Sequence, residues 1–386
     1  MAAAYHLARA RLFATYYAVS ARNRVWRRAW DVLTPAHMAE DVRRTCLDWT
    51  TSQAFKSQAW DSGDTIVDNA LYETSSSPTI SYVCRRTGDL LIEPKYGYVI
   101  DAPLRLIEHS MPPSEWARDP RFMHLIGVPS TWAAALARAG VTPRTRVPRV
   151  LSLRHFWETN YFHFLCDVVP KLRLARECGI PDDVPLLVGG RLFRQPFFQR
   201  AMRRGLLQGR EFVVQDGDYL AAEDVVFARS EGPVRANLEW TALALGAPNA
   251  DPNGHRRIFL TRQKSRGRYL LNQDELLPTL KRWDIELIDT DTLTLDEQMD
   301  LFSRADVVVG IHGAGLANIL YRRGGNCSVL ELYPPGELVA TNAWIAGQLG
   351  FNYKAIRGYA PQTVERFTPF SIDAEQFALR LEQLLH

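Results

Sequence analysis

Lysine is scarce in this sequence. Lys56, Lys95, Lys171, Lys264, Lys281 and Lys354 are the whole set, so arginine supplies nearly all the positive charge. Codon bias in a GC-rich genome accounts for that without any function, yet arginine is also the side chain whose planar fork pairs with phosphate. Cysteine is sparse as well. Cys46, Cys84, Cys166, Cys178 and Cys327 are odd in number and widely spaced, with no CxxC and no Cys/His ligand pattern. Reduced thiols in a cytoplasmic protein fit that usage best. No run of 18 apolar residues occurs, so no segment reads as a membrane span. The net charge of +3 is too small to suggest bulk nucleic-acid binding, and no nucleic-acid partner is expected.

What is present is ordinary soluble-protein material. A chain of 386 residues, 46% hydrophobic and 23% charged, has room for two domains and a sizeable core. Its first basic cluster is Arg9, Arg11, Arg22, Arg24, Arg27 and Arg28, all before the first acidic residue, Asp31. Leu12, Phe13, Tyr16 and Tyr17 fall on one face of a helix drawn there. The apolar run is too short and broken for a secretory signal. Two readings remain: a surface helix covering the domain, or a basic amphipathic helix on an anionic membrane. The expected location is cytoplasmic, and under the second reading peripheral on the inner face of the cell membrane.

Residues 1–60 read as a helical N-terminal segment. Short strands follow at Ile80–Cys84 and Tyr96–Ile100, with a turn signal at Thr87-Gly88-Asp89 and a helix at Ser130–Ala139. From Arg149 the pattern is α/β, with strands near 150–153, 185–188, 211–214 and 224–228 and helical stretches at 160–178 and 194–207. Residues 230–255, with Gly246, Pro248, Pro252 and Gly254, read as a passage between domains. Beyond it strands and helices alternate regularly to residue 356, which predicts a parallel doubly wound sheet. A last amphipathic helix, Ala374–Leu385, is expected to pack back on the first domain. The domain expectation is thus 1–60 helical, 61–250 acceptor-side α/β, 251–365 nucleotide-binding and 366–386 a closing helix.

Ligands of open parallel sheets bind beyond the carboxyl ends of the strands, and three such places carry polar chemistry. Ile311-His312-Gly313-Ala314-Gly315-Leu316-Ala317-Asn318 follows the most hydrophobic strand and opens a helix. Its glycines let backbone N–H groups approach an anion, and they serve a tight strand-to-helix turn equally well. Thr261-Arg262-Gln263-Lys264-Ser265-Arg266-Gly267-Arg268 puts four cations at another strand end, suited to a departing diphosphate. Glu331 is a lone carboxylate in an apolar strand, which needs a ribose hydroxyl or an internal partner. In the first domain, Asn160, His163 and Asp167 share one helical face. A carboxylate one turn from a histidine holds its tautomer while the imidazole takes a proton. The alternative is that Asn160 caps the helix and His163 merely packs.

Together these segments resemble glycosyltransferase family 61, the type found in bacterial capsular and surface polysaccharide biosynthesis. The resemblance rests on Asn160-Tyr-Phe-His163 with Asp167 and Pro170, and on Thr261-Arg262 through Arg268-Tyr-Leu-Leu-Asn272. Glu297-Gln298 through Ala305, His312 through Asn318, and Leu-Glu331-Leu-Tyr complete it. It implies an α/β, GT-B-like fold: two Rossmann-like domains with a cleft between them. It further implies inverting transfer from a nucleotide-sugar donor, by preference a UDP-sugar, to a glycan or lipid-linked acceptor, with no cofactor and no essential metal. Carried over by position, Arg262, Arg268, Asn272, His312, Gly313, Ala314, Gly315, Asn318 and Glu331 become donor-binding residues. His163 and Asp167 become the catalytic pair, and Asn160 lies on the acceptor side.

Rival functions have their own signatures. A metal-dependent transferase needs an acidic triplet, and Asp216-Gly-Asp218 and Asp289-Thr-Asp291 both qualify. The second precedes Thr294-Leu-Asp-Glu297, a capping-box pattern that explains much of its polarity. An NAD-dependent oxidoreductase needs a glycine fingerprint after the first strand of its domain, whereas this loop follows the third and has Asn318 in place of the last glycine. A non-catalytic nucleotide-sugar-binding scaffold would keep the arginine loop without turnover.

Overall fold

The computed structural model describes residues 46–52, 79–101, 105–106, 143, 145–230, 232–336, 338–360 and 368–386. The expected helix at Ser130–Ala139 and most of the expected N-terminal helical segment lie outside these residues. Where the first sixty residues are described, at β1 (Cys46–Ser52), the backbone is a strand and not a helix. It pairs antiparallel with β2 (Thr79–Ile92).

β2 also corrects the expected turn at Thr87-Gly88-Asp89. The strand runs through those residues with a register irregularity between Thr87 and Leu90. A glycine there is absorbed as a bulge because both flanks remain paired. The reversal comes later, between Ile92 and β3 (Val99–Asp101). Glu93 makes it, its carboxylate accepting from the backbone N–H groups of Lys95 and Tyr96 at 2.7 Å each.

The first sheet continues through β4 (Arg105–Leu106), β5 (Thr145–Ser152), β6 (Leu186–Gly189), β7 (Phe212–Gln215) and β8 (Leu220–Arg229). Its order is β4-β3-β2-β8-β5-β6-β7, with β1 on β2. β5, β6, β7 and β8 are mutually parallel, while β2 meets β8 antiparallel. Only the parallel part is Rossmann-like, so the first sheet is mixed rather than wholly doubly wound. The chain leaves β5 toward β6 and β7, then crosses back to β8 on the other side. That reversal places a switch point between β5 and β8.

β5 leads into α1 (Tyr161–His163), a π-helical turn Phe164–Val168, and α2 (Pro170–Glu177). α3 (Gly190–Phe193) and α4 (Pro196–Ala201) follow β6. The stretch expected as an interdomain passage contains α5 (Arg235–Ala244). Asn237, Leu238, Thr241 and Ala242 of that helix are buried, and they outweigh the glycine and proline punctuation read from the sequence.

The second sheet has β9 (Arg256–Leu260), α6 (Gln273–Arg282), β10 (Glu286–Ile288), α7 (Leu295–Ser303) and β11 (Ala305–Ile311). A 3₁₀ helix, Ala314–Arg322, stands where an α-helix was expected, and β12 (Ser328–Tyr333), α8 (Thr341–Leu349) and β13 (Asn352–Arg357) follow. All five strands are parallel, in the order β10-β9-β11-β12-β13. The switch point falls between β9 and β11, so the arginine loop and the glycine loop leave the sheet side by side. The capping box expected at Thr294 and Glu297 is present in both halves.

Both faces of this sheet are covered, as a parallel sheet requires. Phe259, Val309 and Leu330 pack with Phe377, Leu381 and Leu384 of α9 (Ala374–Leu385). The last helix therefore lies on the second sheet and not on the first domain. Burial of those three side chains, worth about 2 kcal/mol each, fixes it there. On the other face, Ile258 and Val308 join a cluster that also holds Leu151, Phe164, Phe198, Leu238 and Val226 from the first half. The two halves thus share one interior. Tyr161 Oη donates to Asn318 Oδ1 at 2.8 Å across it, and Arg200 and Arg204 both pair with Asp296.

Candidate active site

The acceptor-side residues sit past the carboxyl end of β5, at the first switch point. Asn160 caps α1, its side chain accepting from Phe162 N at 2.9 Å. Its oxygen thus caps the helix, while the residue stays exposed on the acceptor side. Three residues on, His163 Nδ1 lies 2.6 Å from Asp167 Oδ2, with both side chains 21% exposed. Asp167 belongs to the π-helical turn, a local widening that recurs at functional sites. Among the described residues no hydrogen bond engages His163 Nε2, so a partly open imidazole with its rear nitrogen held presents a proton acceptor.

Rings pin that imidazole. Trp157 stacks on His163 at 4.8 Å between centroids, His155 stacks on it at 5.4 Å, and Phe162 meets it edge-on at 5.3 Å. Burial pushes the His155 imidazole down to about 3, against the pull of Asp167, so this ring is neutral at any physiological pH. Burial alone pushes the Asp167 carboxyl up. The His163 hydrogen bond and charge, with smaller help from His155 and Lys171, more than reverse that and leave it below the usual carboxylate value.

Beneath the dyad is a buried charge network that sequence reasoning missed. Arg154 donates to Glu158 at 3.1 Å, to Gln215 Oε1 at 2.5 Å, and to the carbonyls of Pro94 and Lys95 at 3.0 and 2.9 Å. Glu158 in turn accepts from His155 N at 3.1 Å. Lys171 Nζ donates to the Arg154 carbonyl at 2.5 Å. Each residue is unremarkable in one dimension. The signal available was the four-residue spacing His163, Asp167, Lys171, which continues the same helical face.

His155, His163 and Asp167 are the described residues whose grouping could suggest a metal site, with ligand atoms within 4.8 Å of one another. The set does not fit a divalent cation. His155 Nδ1 accepts from Trp157 N at 3.2 Å, which puts the proton of the neutral ring on Nε2 and removes the lone pair a metal needs. The acidic triplets carry internal contacts. Asp216 pairs with Arg194 at 2.5 Å, while Asp289 accepts from Gln263 Nε2 at 2.7 Å and from Asp291 N at 3.0 Å.

The donor-side loops converge at the second switch point. A Cβ placed on Gly313 would stand 3.0 Å from Arg262 Nη1 and 3.9 Å from Arg268 Nη2. Two guanidinium groups from the β9 loop therefore reach the glycine after β11. Arg268 is buried, and its φ of 49°, next to Gly267 at 65°, is a left-handed conformation that favours glycine. Holding arginine there costs on the order of 1 kcal/mol, a strain typical of ligand clamps. Gly315 closes the loop against Thr290, whose Oγ1 lies 3.2 Å from the position its Cβ would take. Ala314 opens the 3₁₀ helix between them.

His312 and Glu331 form one unit. His312 Nδ1 is 2.7 Å from Glu331 Oε1, and the ring stacks on Tyr333 at 5.0 Å. Glu331 is fully buried and also accepts from Asn342 Nδ2 at 2.7 Å, Tyr353 Oη at 2.8 Å and Tyr333 Oη at 3.1 Å. Four internal donors account for both carboxylate oxygens, so the expected ribose contact is corrected: Glu331 orients His312.

Two further expected donor ligands are structural. Asn318 is fully buried, accepting from Tyr161 and donating to Gln298 Oε1 at 2.7 Å. Gln298 continues to the carbonyls of Thr290 and Leu293 at 3.1 and 3.0 Å. Asn318→Leu is expected to lower stability by about 2 kcal/mol, because it strands the Tyr161 and Gln298 groups; a denaturant midpoint equal to that of the parent protein would contradict the latch. Asn272 donates to the Ile372 carbonyl at 2.8 Å and accepts from Ile372 N at 3.1 Å, tying the C-terminal segment to α6.

With that geometry in place, the similarity to known proteins can be stated. Residues 161–330 match the family model Glycosyltransferase 61. The span begins one residue before Phe162 of the acceptor-side helix and ends inside β12, so it takes in both the dyad and the two donor loops. An EGF domain-specific O-linked N-acetylglucosamine transferase of Drosophila melanogaster is 30% identical over 107 residues, 27% of this chain and 20% of that protein. The protein of the same description from Bos taurus is 26% identical over 167 residues, 39% of this chain and 31% of that protein. The aligned part of this chain thus spans about a fifth to a third of those relatives. The matches support a glycosyltransferase of family 61.

Proposed function

We propose that the protein transfers a sugar from a nucleoside diphosphate donor to a hydroxyl, with inversion and without an essential metal. The observation that carries this reading is the convergence of Arg262 and Arg268 on Gly313 at the β9/β11 switch point. Two forked cations beside a backbone loop without a side chain suit a diphosphate, and they stabilise its charge as it leaves. His312, held through Nδ1 by Glu331, turns its other nitrogen to the same role.

In the reaction, the acceptor hydroxyl gives its proton to His163 Nε2 as its oxygen bonds to the anomeric carbon. The carbon–phosphate-oxygen bond breaks on the opposite face, and its electron pair goes to the diphosphate. Asp167 stabilises the imidazolium formed. The acceptor assigned is a glycan or lipid-linked glycan in surface polysaccharide assembly on the cytoplasmic face. The relatives' description puts N-acetylglucosamine first among donor sugars to try, and a protein hydroxyl second among acceptors.

The test is calorimetric binding of UDP, GDP, CMP and NAD, with EDTA present. UDP is expected to bind, and Arg268→Ala to weaken it by about tenfold to a hundredfold, the value of one charge-assisted fork. Binding of NAD alone, or binding that appears only with added divalent cation, would overturn the reading. UDP-N-acetylglucosamine turnover then separates a transferase from a scaffold.

A further inference from the structure

One buried charge has no part in the mechanism above. Lys171 is 6% exposed, one of six lysines in an arginine-rich chain, and lies on α2 one turn beyond Asp167. Its ammonium makes one hydrogen bond, to the carbonyl of Arg154 at 2.5 Å. That carbonyl precedes His155, and the segment running from it carries both rings that stack on His163. A lysine drawn inside for packing alone is costly, because its charge is desolvated without a bonded carboxylate.

We propose that Lys171 is a positioning residue of the acceptor-side dyad: it clamps the Arg154–Trp157 segment against His163 and sets a positive charge beside Asp167. The inference rests on His163 and Asp167 acting as the base. The ammonium is one of the charges that, after the hydrogen bond and charge of His163 and the charge of His155, hold the Asp167 carboxyl below its usual value. The groups that face Lys171 are Glu158 and Asp167, which favour its charge, and Arg154, which opposes it. Burial outweighs these and pushes the ammonium down to about 8, so it remains charged throughout the range in which a histidine titrates.

The sign of the effect follows. Removing the ammonium makes proton uptake by the dyad easier, so the acid limb of the rate profile moves to higher pH. The experiment compares the full-length chain with Lys171→Met and Lys171→Arg, following UDP release from UDP-N-acetylglucosamine between pH 5 and 9. UDP calorimetry on each variant verifies that the donor half is folded. The expected result is an acid limb shifted upward by about one pH unit and kcat at pH 6 reduced about tenfold in Lys171→Met, with donor KM within twofold. Lys171→Arg, which keeps the charge, is expected to hold the limb within about 0.3 pH unit. A Lys171→Met limb coincident with the parent overturns the inference, as does an equal shift in both variants. His163→Gln separates the two readings. If it abolishes turnover while Lys171→Met leaves the limb in place, only the role of Lys171 falls; if it leaves turnover intact, the base assignment and this inference fall together.

Discussion

His163→Gln is expected to lower kcat by about 10²- to 10⁴-fold, the usual worth of a positioned general base. Glutamine retains the approximate shape and a hydrogen bond to Asp167 but has no nitrogen that accepts a proton. UDP affinity is expected to stay within about twofold, because the diphosphate loops belong to the other sheet. His155→Gln supplies the contrast. Its imidazole, pushed by burial to about 3, carries no charge that a rate profile between pH 5 and 9 would register. Loss of the His155 ring loosens the stack on His163 without removing a titrating group, so the midpoint of the acid limb stays in place while kcat falls modestly. Steady-state rates for both variants decide the matter. A limb that moves with His155→Gln would mean that the wrong histidine has been assigned.

Glu331→Ala is expected to cost about 3–5 kcal/mol of stability, the range for removing one member of a buried charged network. The carboxylate is the acceptor for His312, Asn342, Tyr333 and Tyr353, and all four are buried. Truncation takes from all four the charged acceptor they share; Tyr333 keeps the Val339 carbonyl and Asn342 the Gly313 carbonyl, at 3.0 and 3.3 Å, as neutral acceptors. The pocket also loses the negative charge that fixes His312. Chemical denaturation measures the stability change directly. Had Glu331 been a ribose ligand, the same substitution would leave the denaturation midpoint near that of the parent and weaken only UDP. Such a result would restore the contact first expected from the sequence. Glu331→Gln, which preserves shape and some acceptor capacity, is expected to fall between.

These two residues show where reading the sequence works. His163 and Asp167 lie four apart on one helix, and local geometry alone brings them together. Glu331 lies on β12 and His312, nineteen residues earlier, just past the end of neighbouring β11, and the sequence left open whether that carboxylate faced a ligand or an internal partner. Asn160 was legible as a cap for the same local reason, while Asn318 and Asn272 were not. Their partners, Tyr161 and Ile372, stand 157 and 100 residues away.

The sequence by itself determined the alternation of β9 to β13, the two anion-suited loops after β9 and β11, and the histidine–carboxylate helix, because periodicity and short spacings are local. Tertiary structure alone decided that the halves share one interior, that α9 covers the second sheet, and that Arg154, Glu158 and Lys171 form a buried network under the dyad. The physical reason is burial. Whether a polar side chain meets substrate or another side chain depends on whether water reaches it, and water access is a property of packed layers that no single stretch of chain encodes.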